Sequence, residues 1–443
     1  MQGVFPIWGI ICYFSCMLIH GFREIVLIVV VCSFCCCSNS DCVNYTDNET
    51  FFANTGLGSS MSTTDENPCF PLDDSKYPYT GIPRIVIETD NRKPIEDRDT
   101  EIPAKLQVWG ECGAESEVME LTIKGRGNST WGYPKKPYTI KFNEKQAFLG
   151  MPEAKKWVML ANYRDRTLIR NAVAFELAKR TSLAWTPSGK HVDVFLNGSF
   201  LGNYYICEKV EVKKNRLELD ENGYLLEFDP NIDEGRSFTT KYNELAVNIK
   251  YPKDLDSSRF NYIRNHIDTV EYVLQQVHDS LYLDYVNPES VADYFIVYAL
   301  TTNIELCRPK SAFVYMDHTG LLNAGPVWDF DYSTFKVVLP VTVNSEAPFL
   351  MNFFRKPSFL KVLGERWAAG KERFVAMESF IDSLSNYISA SDEQNAKIWP
   401  IEIAEDFVGD ENKSFPEAIE MMKASFRAKI QELDSLMQDF WHY

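Results

Sequence analysis

The spacing of apolar side chains changes character near Phe260. Before it, short β-branched and aromatic runs at Ile85–Thr89, Ala104–Trp109, Glu120–Lys124 and Tyr138–Phe142 predict strands. Val192–Leu196 and Phe200–Cys207 flank Asn197-Gly198, a dipeptide that supplies the positive φ angles of a tight hairpin. Gly223–Phe228 predicts one more strand. Between these runs Asp165 opens a helical pattern reaching about Arg180, with its carboxylate placed to cap free amides. After Phe260 the period is helical, over Phe260–Val277, Pro288–Thr301 and several stretches between Pro357 and Gln438. A strand-rich part before a mainly helical one predicts an α+β fold of two lobes with a cleft between them.

The start of the chain follows neither period. Residues 1–40 hold only two charged side chains, Arg23 and Glu24. Read from Met17, a short leader is followed by the apolar run Ile25–Val31 and a Cys-rich end at Cys32–Ser38, the shape of an export signal with a lipoprotein-like processing region. An uncleaved anchor helix is the other reading of this segment. Ser38–Pro68 is polar and aperiodic, as a tether would be. The expected organisation is a leader at 1–37, a tether at 38–76, a strand-rich lobe at 77–215 and a mainly helical lobe at 216–443. The expected location is the cell envelope or the exterior, with attachment to the membrane through an N-terminal lipid or anchor.

A formal charge of −17 argues against nucleic acid and anionic lipid as nonspecific partners. Of eleven cysteines, six fall within the first 37 residues, and the remaining five show no paired metal-ligand spacing. Six histidines without an H-E-x-x-H arrangement give no support to a zinc hydrolase, and no G-x-S-x-G elbow supports a serine hydrolase.

The sharpest chemical signal is Gly325-Pro326-Val327-Trp328-Asp329-Phe330-Asp331, two acids two residues apart in an apolar and aromatic setting. Ionised carboxylates are costly there unless a cation or dense hydrogen bonding compensates. Magnesium takes hard oxygen ligands from one or two carboxylates and leaves its other positions to water and phosphate. A turn whose Asp side chains cap local amides is the competing account of the pair taken alone.

Four blocks, the acid pair among them, stand in order: Arg126-Gly127-Asn128-Ser129-Thr130-Trp131 with Lys135–Phe142; Leu160-Ala161-Asn162-Tyr163-Arg164-Asp165 with Arg170-Asn171; Asn197-Gly198 with Gly202-Asn203-Tyr204; and Trp328–Asp331. In this arrangement the chain resembles the spore coat protein H (CotH) kinase family, an atypical branch of the protein-kinase-like fold, from about Ile82 to the C-terminal helices. The resemblance implies ATP and Mg2+ or Mn2+ as cofactors, with Asp329 and Asp331 as metal-binding acids. It implies a phosphate-facing loop at Arg126, Asn128 and Ser129. Lys141 on its strand would contact nucleotide phosphates and pair with Glu176, and Glu208 would stand at a hinge beside the adenine. Where such sites carry Asp-x-x-x-x-Asn, this chain has Glu305 and Lys310, so Glu305 would be the base and Lys310 would face a phosphate or Glu305 itself. The implied activity is that of an ATP- and metal-dependent phosphotransferase, an atypical protein kinase acting on exported or surface proteins. The alternative is a catalytically weak or inactive kinase-like module serving as a surface binding or structural element.

Overall fold

A computed structural model describes Leu72 and residues 75–440, apart from Glu234, Ser333, Val337, 401–408 and Glu411. The leader and most of the tether expected from the sequence lie outside the described residues. Among the described residues, no helix is long and apolar enough to cross a membrane.

The first half forms β1 (Arg84–Thr89), β2 (Ile102–Gly110), β3 (Gly113–Ala114), β4 (Met119–Gly125), β5 (Tyr138–Phe148), β6 (Met151–Leu160), β7 (Gly189–Leu196) and β8 (Ser199–Glu208). Neighbours run in the order β1-β7-β8-β6-β5-β4-β2, and β1 pairs with β2 as well as with β7. Seven strands therefore close into a barrel, with β3 appended to β2. Closure removes exposed sheet edges and encloses an apolar core, here Ile85, Leu106, Ile140, Trp157, Val192 and their neighbours. The β7–β8 hairpin turns at Asn197 and Gly198, with φ of 52° and 81°.

Helix α1 (Arg170–Lys179) interrupts the barrel strands and is buried along nearly its whole length. It begins later than the sequence reading, yet Asp165 does cap it: one carboxylate oxygen accepts from the Arg170 backbone N–H at 2.8 Å, the other from that of Thr167 at 2.9 Å. The buried Arg170 guanidinium pairs with Asp165 and Asp410, and this ties the start of the helix to the C-terminal part of the chain.

The second half contains more sheet than its helical spacing predicts. Five strands, β9 (Tyr224–Phe228), β10 (Ser237–Thr239), β11 (Ala246–Tyr251), β12 (Ala312–Met316) and β13 (Leu322–Ala324), form a sheet in the order β10-β11-β9-β12-β13. Every residue of β12 is buried, so it shows no alternation from which a strand could be read. Helices α2 (Ser257–Gln275), α3 (Pro288–Thr301), α4 (Pro357–Val375), α5 (Met377–Ile398) and α6 (Phe415–Phe440) complete an α+β fold. Helix α2 starts where the Asp256 side chain accepts from the Arg259 N–H, and α3 runs over the predicted residues.

A buried polar seam joins the barrel to α5. Lys135 donates to the Asn203 carbonyl and to Asn395 Oδ1, Asn203 Nδ2 donates to Ser391 Oγ, and Ser391 Oγ donates to Asp193. His191 Nδ1 meets Asn203 Oδ1 at 3.0 Å in this seam. Burial, reinforced by the charge of Lys135 and opposed by the Asn203 hydrogen bond, pushes the imidazole from 6.5 down to about 4. Between those values the unfolded chain binds a proton that the folded one does not, so stability rises with pH there. The whole of this contribution is present above the ordinary value and is lost as pH falls toward 4. A shift of this size is worth about 3 kcal/mol. Chemical denaturation across this range should show that slope, and His191→Gln should flatten it; an unchanged slope would show that another group carries the acid lability.

Candidate active site

A cleft of about 560 Å3 opens between the barrel and the second sheet. The Arg126–Thr130 segment that follows β4 forms one wall, and Lys310, Ser311, Asp229 and the Trp328–Asp331 segment form the other.

The acid-bearing segment is held by side-chain amides from two directions. Phe330 is fully buried and packs against Tyr298 at 5.1 Å between ring centroids, and the acids on either side of it line the cleft. Asp329 takes a φ of +67°, a left-handed conformation that costs a non-glycine residue about 1–3 kcal/mol. Asn303 Nδ2 donates to the Asp329 carbonyl at 3.0 Å, and Asn171 Oδ1 accepts from the Phe330 N–H at 2.9 Å. Asn171 is itself held by Asn162 at 3.2 Å. Asn303 Oδ1 also accepts from the Glu305 N–H at 2.9 Å, so one side chain fixes both acid-bearing segments.

These acids perturb each other. Glu305 is pushed up to about 9, first by desolvation and then by Asp329, with Lys310 opposing and Asp331 and Asp229 adding to the rise. Asp331 is pushed up to about 8, first by desolvation and then by Asp329 and Asp165. The Arg126 guanidinium lies 5.8 Å from the Trp328 ring centroid; burial lowers its pKa, and Cys207, Asp329 and Asp331 partly restore it. The repulsion that raises Glu305 and Asp331 centres on Asp329, whereas the rest of the charged cleft lining mixes both signs. A hard divalent cation fits such an oxygen donor set because it would relieve the repulsion. Among the described residues no three His, Cys, Asp or Glu side chains converge closely enough to enclose an ion. The fit is therefore to an ion that takes its remaining ligands from water and phosphate, as magnesium does.

Of the other residues expected from the sequence, Asn128 and Ser129 line the cleft. Asn128 Oδ1 accepts from Arg98 at 2.9 Å, and Ser129 opens a single 3-10 turn, Ser129–Gly132. Gly127 has a φ of +82°, and a Cβ there would lie 2.0 Å from Thr130 Oγ1, so this loop position requires glycine.

Three expectations need correction. Lys141 does not pair with Glu176. Tyr138, Ile140 and Phe142 fill the barrel interior, so Lys141 points outward and meets Glu101 at 3.1 Å, in a depression beside the cleft. Glu176 pairs with Arg180 one turn along its own helix, at 3.0 Å. Glu208 does end its strand, but its carboxylate accepts from the Ser188 N–H at 2.9 Å and stands 4.0 Å from Arg216, and it does not line the cleft.

The sequence reading missed Asp229 and the roles of Asn162, Asn171 and Asn303. Asp229 directly follows β9 and faces the cleft, where one of its oxygens accepts from Asn231. An acid that ends the apolar run Tyr224–Phe228 was the available signal. The asparagines bond across elements, and nothing local marks that.

Asn171→Ala would strip the Phe330 N–H and the Asn162 side chain of a buried partner. An unsatisfied buried group costs about 1–3 kcal/mol. The urea midpoint should fall accordingly; an unchanged midpoint would show that Asn171 does not hold the turn.

The fold and cleft define an α+β protein built around a paired-acid site, and comparison with known families agrees with the motifs. Residues 123–423 match the model of the family described as CotH kinase protein. The chain belongs to the CotH kinase family. A search of curated proteins finds no match.

Proposed function

We propose that this chain is an ATP- and divalent-metal-dependent phosphotransferase, an atypical protein kinase that modifies exported or surface proteins. The observation that carries the reading is the convergence of Asp229, Asp329 and Asp331 with Arg126 and Lys310 on one cleft, with Glu305 outside the cleft lining but near enough to feel the charges of Asp329 and Lys310. In this reading the barrel and the helix-rich half are the two lobes of a kinase-like fold. The cell-envelope location rests on the apolar run beginning at Ile25 and the cysteines that follow it.

Asp329 and Asp331 would hold Mg2+ or Mn2+. A bound metal–ATP complex supplies the transferable phosphoryl group and the positive charge that phosphoryl transfer requires. Arg126 and Lys310, with the backbone of Gly127–Ser129, line the same cleft and would supply positive charge and amides to its phosphates. Burial and Asp329 keep Glu305 protonated at neutral pH in the metal-free protein; a divalent cation on the acid pair would offset the Asp329 charge and, with Lys310, favour the carboxylate that would accept the proton of the acceptor hydroxyl. Asn303 keeps Glu305 and Asp329 in fixed relation.

Lys310 also supports the weaker alternative. Its ammonium has no lone pair for a second metal, whereas an asparagine at that point of a kinase-like pattern has one. Incubation of the full chain with γ-labelled ATP, magnesium and dephosphorylated casein separates the two readings. Metal-dependent labelling of casein or of the chain itself is the expected result. Nucleotide binding without any transfer would instead identify an inactive kinase-like binding module.

A further inference from the structure

Four lysines surround one depression of about 140 Å3 on the outer wall of the barrel: Lys124 on β4, Lys141 on β5, Lys156 on β6 and Lys209 immediately after β8. Lys141 and Lys156 are directly opposed in the β5–β6 register. Like charges opposed across strands are destabilising. Among the described residues only Lys141 has a carboxylate at ion-pair distance, that of Glu101. The ammonium of Lys209 is pushed down to about 8, first by desolvation and then, against the pull of Glu211, by Lys156, Lys253 and Arg126. This concentration of positive charge stands on a chain whose formal charge is −17. It also adjoins the cleft, because Lys124 and Thr139 line both.

We infer that this depression docks an acidic segment of a polypeptide acceptor, binding glutamate, aspartate or phosphoserine side chains while a neighbouring residue enters the cleft. The inference rests on the phosphotransferase reading and names its substrate class. The lining consists of lysines, Thr122, Thr139 and Glu101, with no aromatic or aliphatic residue on which a purine could stack. What it does offer is several ammonium groups that pair with carboxylate or phosphate oxygens. A polypeptide supplies such groups repeatedly at a spacing of about 3.3 Å per extended residue, so a chain seated in the cleft can also cover the shared wall. The excess negative charge elsewhere on the protein opposes adventitious binding of an acidic peptide.

The test measures binding, so it does not depend on turnover. Three fluorescent peptides share a central serine and differ in their flanks, which are glutamate, phosphoserine or glutamine. Fluorescence anisotropy with the full chain should show the two anionic peptides binding about tenfold or more tighter than the glutamine one, with affinity falling as salt is raised. The double variant Lys141→Gln, Lys156→Gln should lose that preference and keep its affinity for Mg-ATP. Equal binding of all three peptides by the unaltered chain would overturn the inference. So would a double variant that loses nucleotide affinity, because the depression would then belong to the nucleotide. If the anionic peptides bind preferentially but no phosphoryl group is ever transferred, the docking surface stands and the phosphotransferase reading fails.

Discussion

Asp331→Asn is expected to weaken metal-dependent nucleotide binding by about tenfold or more, about 1.4 kcal/mol, while raising the melting temperature of the ligand-free protein. Both effects follow from the crowding of acids in the cleft. With Asp331 pushed up to about 8, the folded state holds a proton that the unfolded chain releases above its ordinary value of 3.8. Stability therefore falls as pH rises through the interval between those values, and an asparagine of the same shape removes the penalty. Metal binding needs the charge and the hard oxygen that asparagine lacks. Asp329→Asn should weaken nucleotide binding in the same way. Normal nucleotide binding together with earlier unfolding in both variants would show that the pair is a structural cap.

Glu305→Gln should have the largest effect on turnover and little on nucleotide affinity. A positioned general base contributes roughly 10²–10⁴-fold to rate, so an assay that resolves tenfold is sufficient. Glutamine preserves the side-chain length and leaves undisturbed the backbone hydrogen bond from Glu305 to Asn303, so a loss of rate cannot be assigned to a displaced segment. Equal loss of rate and of nucleotide affinity would place Glu305 among the metal ligands. Full retention of turnover would move the base to an acid that lines the cleft, with Asp229 the first candidate.

The legible parts of the fold are those fixed by local chemistry. Asn197-Gly198 announces its hairpin because few dipeptides accept two positive φ angles, and Pro288–Thr301 announces its helix through its apolar content and N-terminal proline. Barrel closure was not legible, because it depends on β1 pairing with both β2 and the distant β7. Most of the second sheet escaped notice because burial on both faces of β12 removes alternation and β10 and β13 are only three residues long. In the site, Arg126, Lys310, Asp329 and Asp331 reach one cleft from motifs far apart in sequence. Lys141, Glu176 and Glu208 were placed by analogy with kinase strand and helix positions. Here the barrel turns Lys141 outward, and the two glutamates find nearer partners. The asparagines that brace the Asp329–Asp331 turn were missed because their bonds span long stretches of chain, from Asn171 to Phe330 and from Asn303 to Asp329.

Calorimetric titration of the full chain with ATP, in the presence and absence of Mg2+, tests the central claim most directly. Saturable binding that requires the metal and is lost in the double variant Asp329→Asn, Asp331→Asn is the result expected of a metal–nucleotide cleft. Binding that ignores the metal, or survives the loss of both acids, would contradict it.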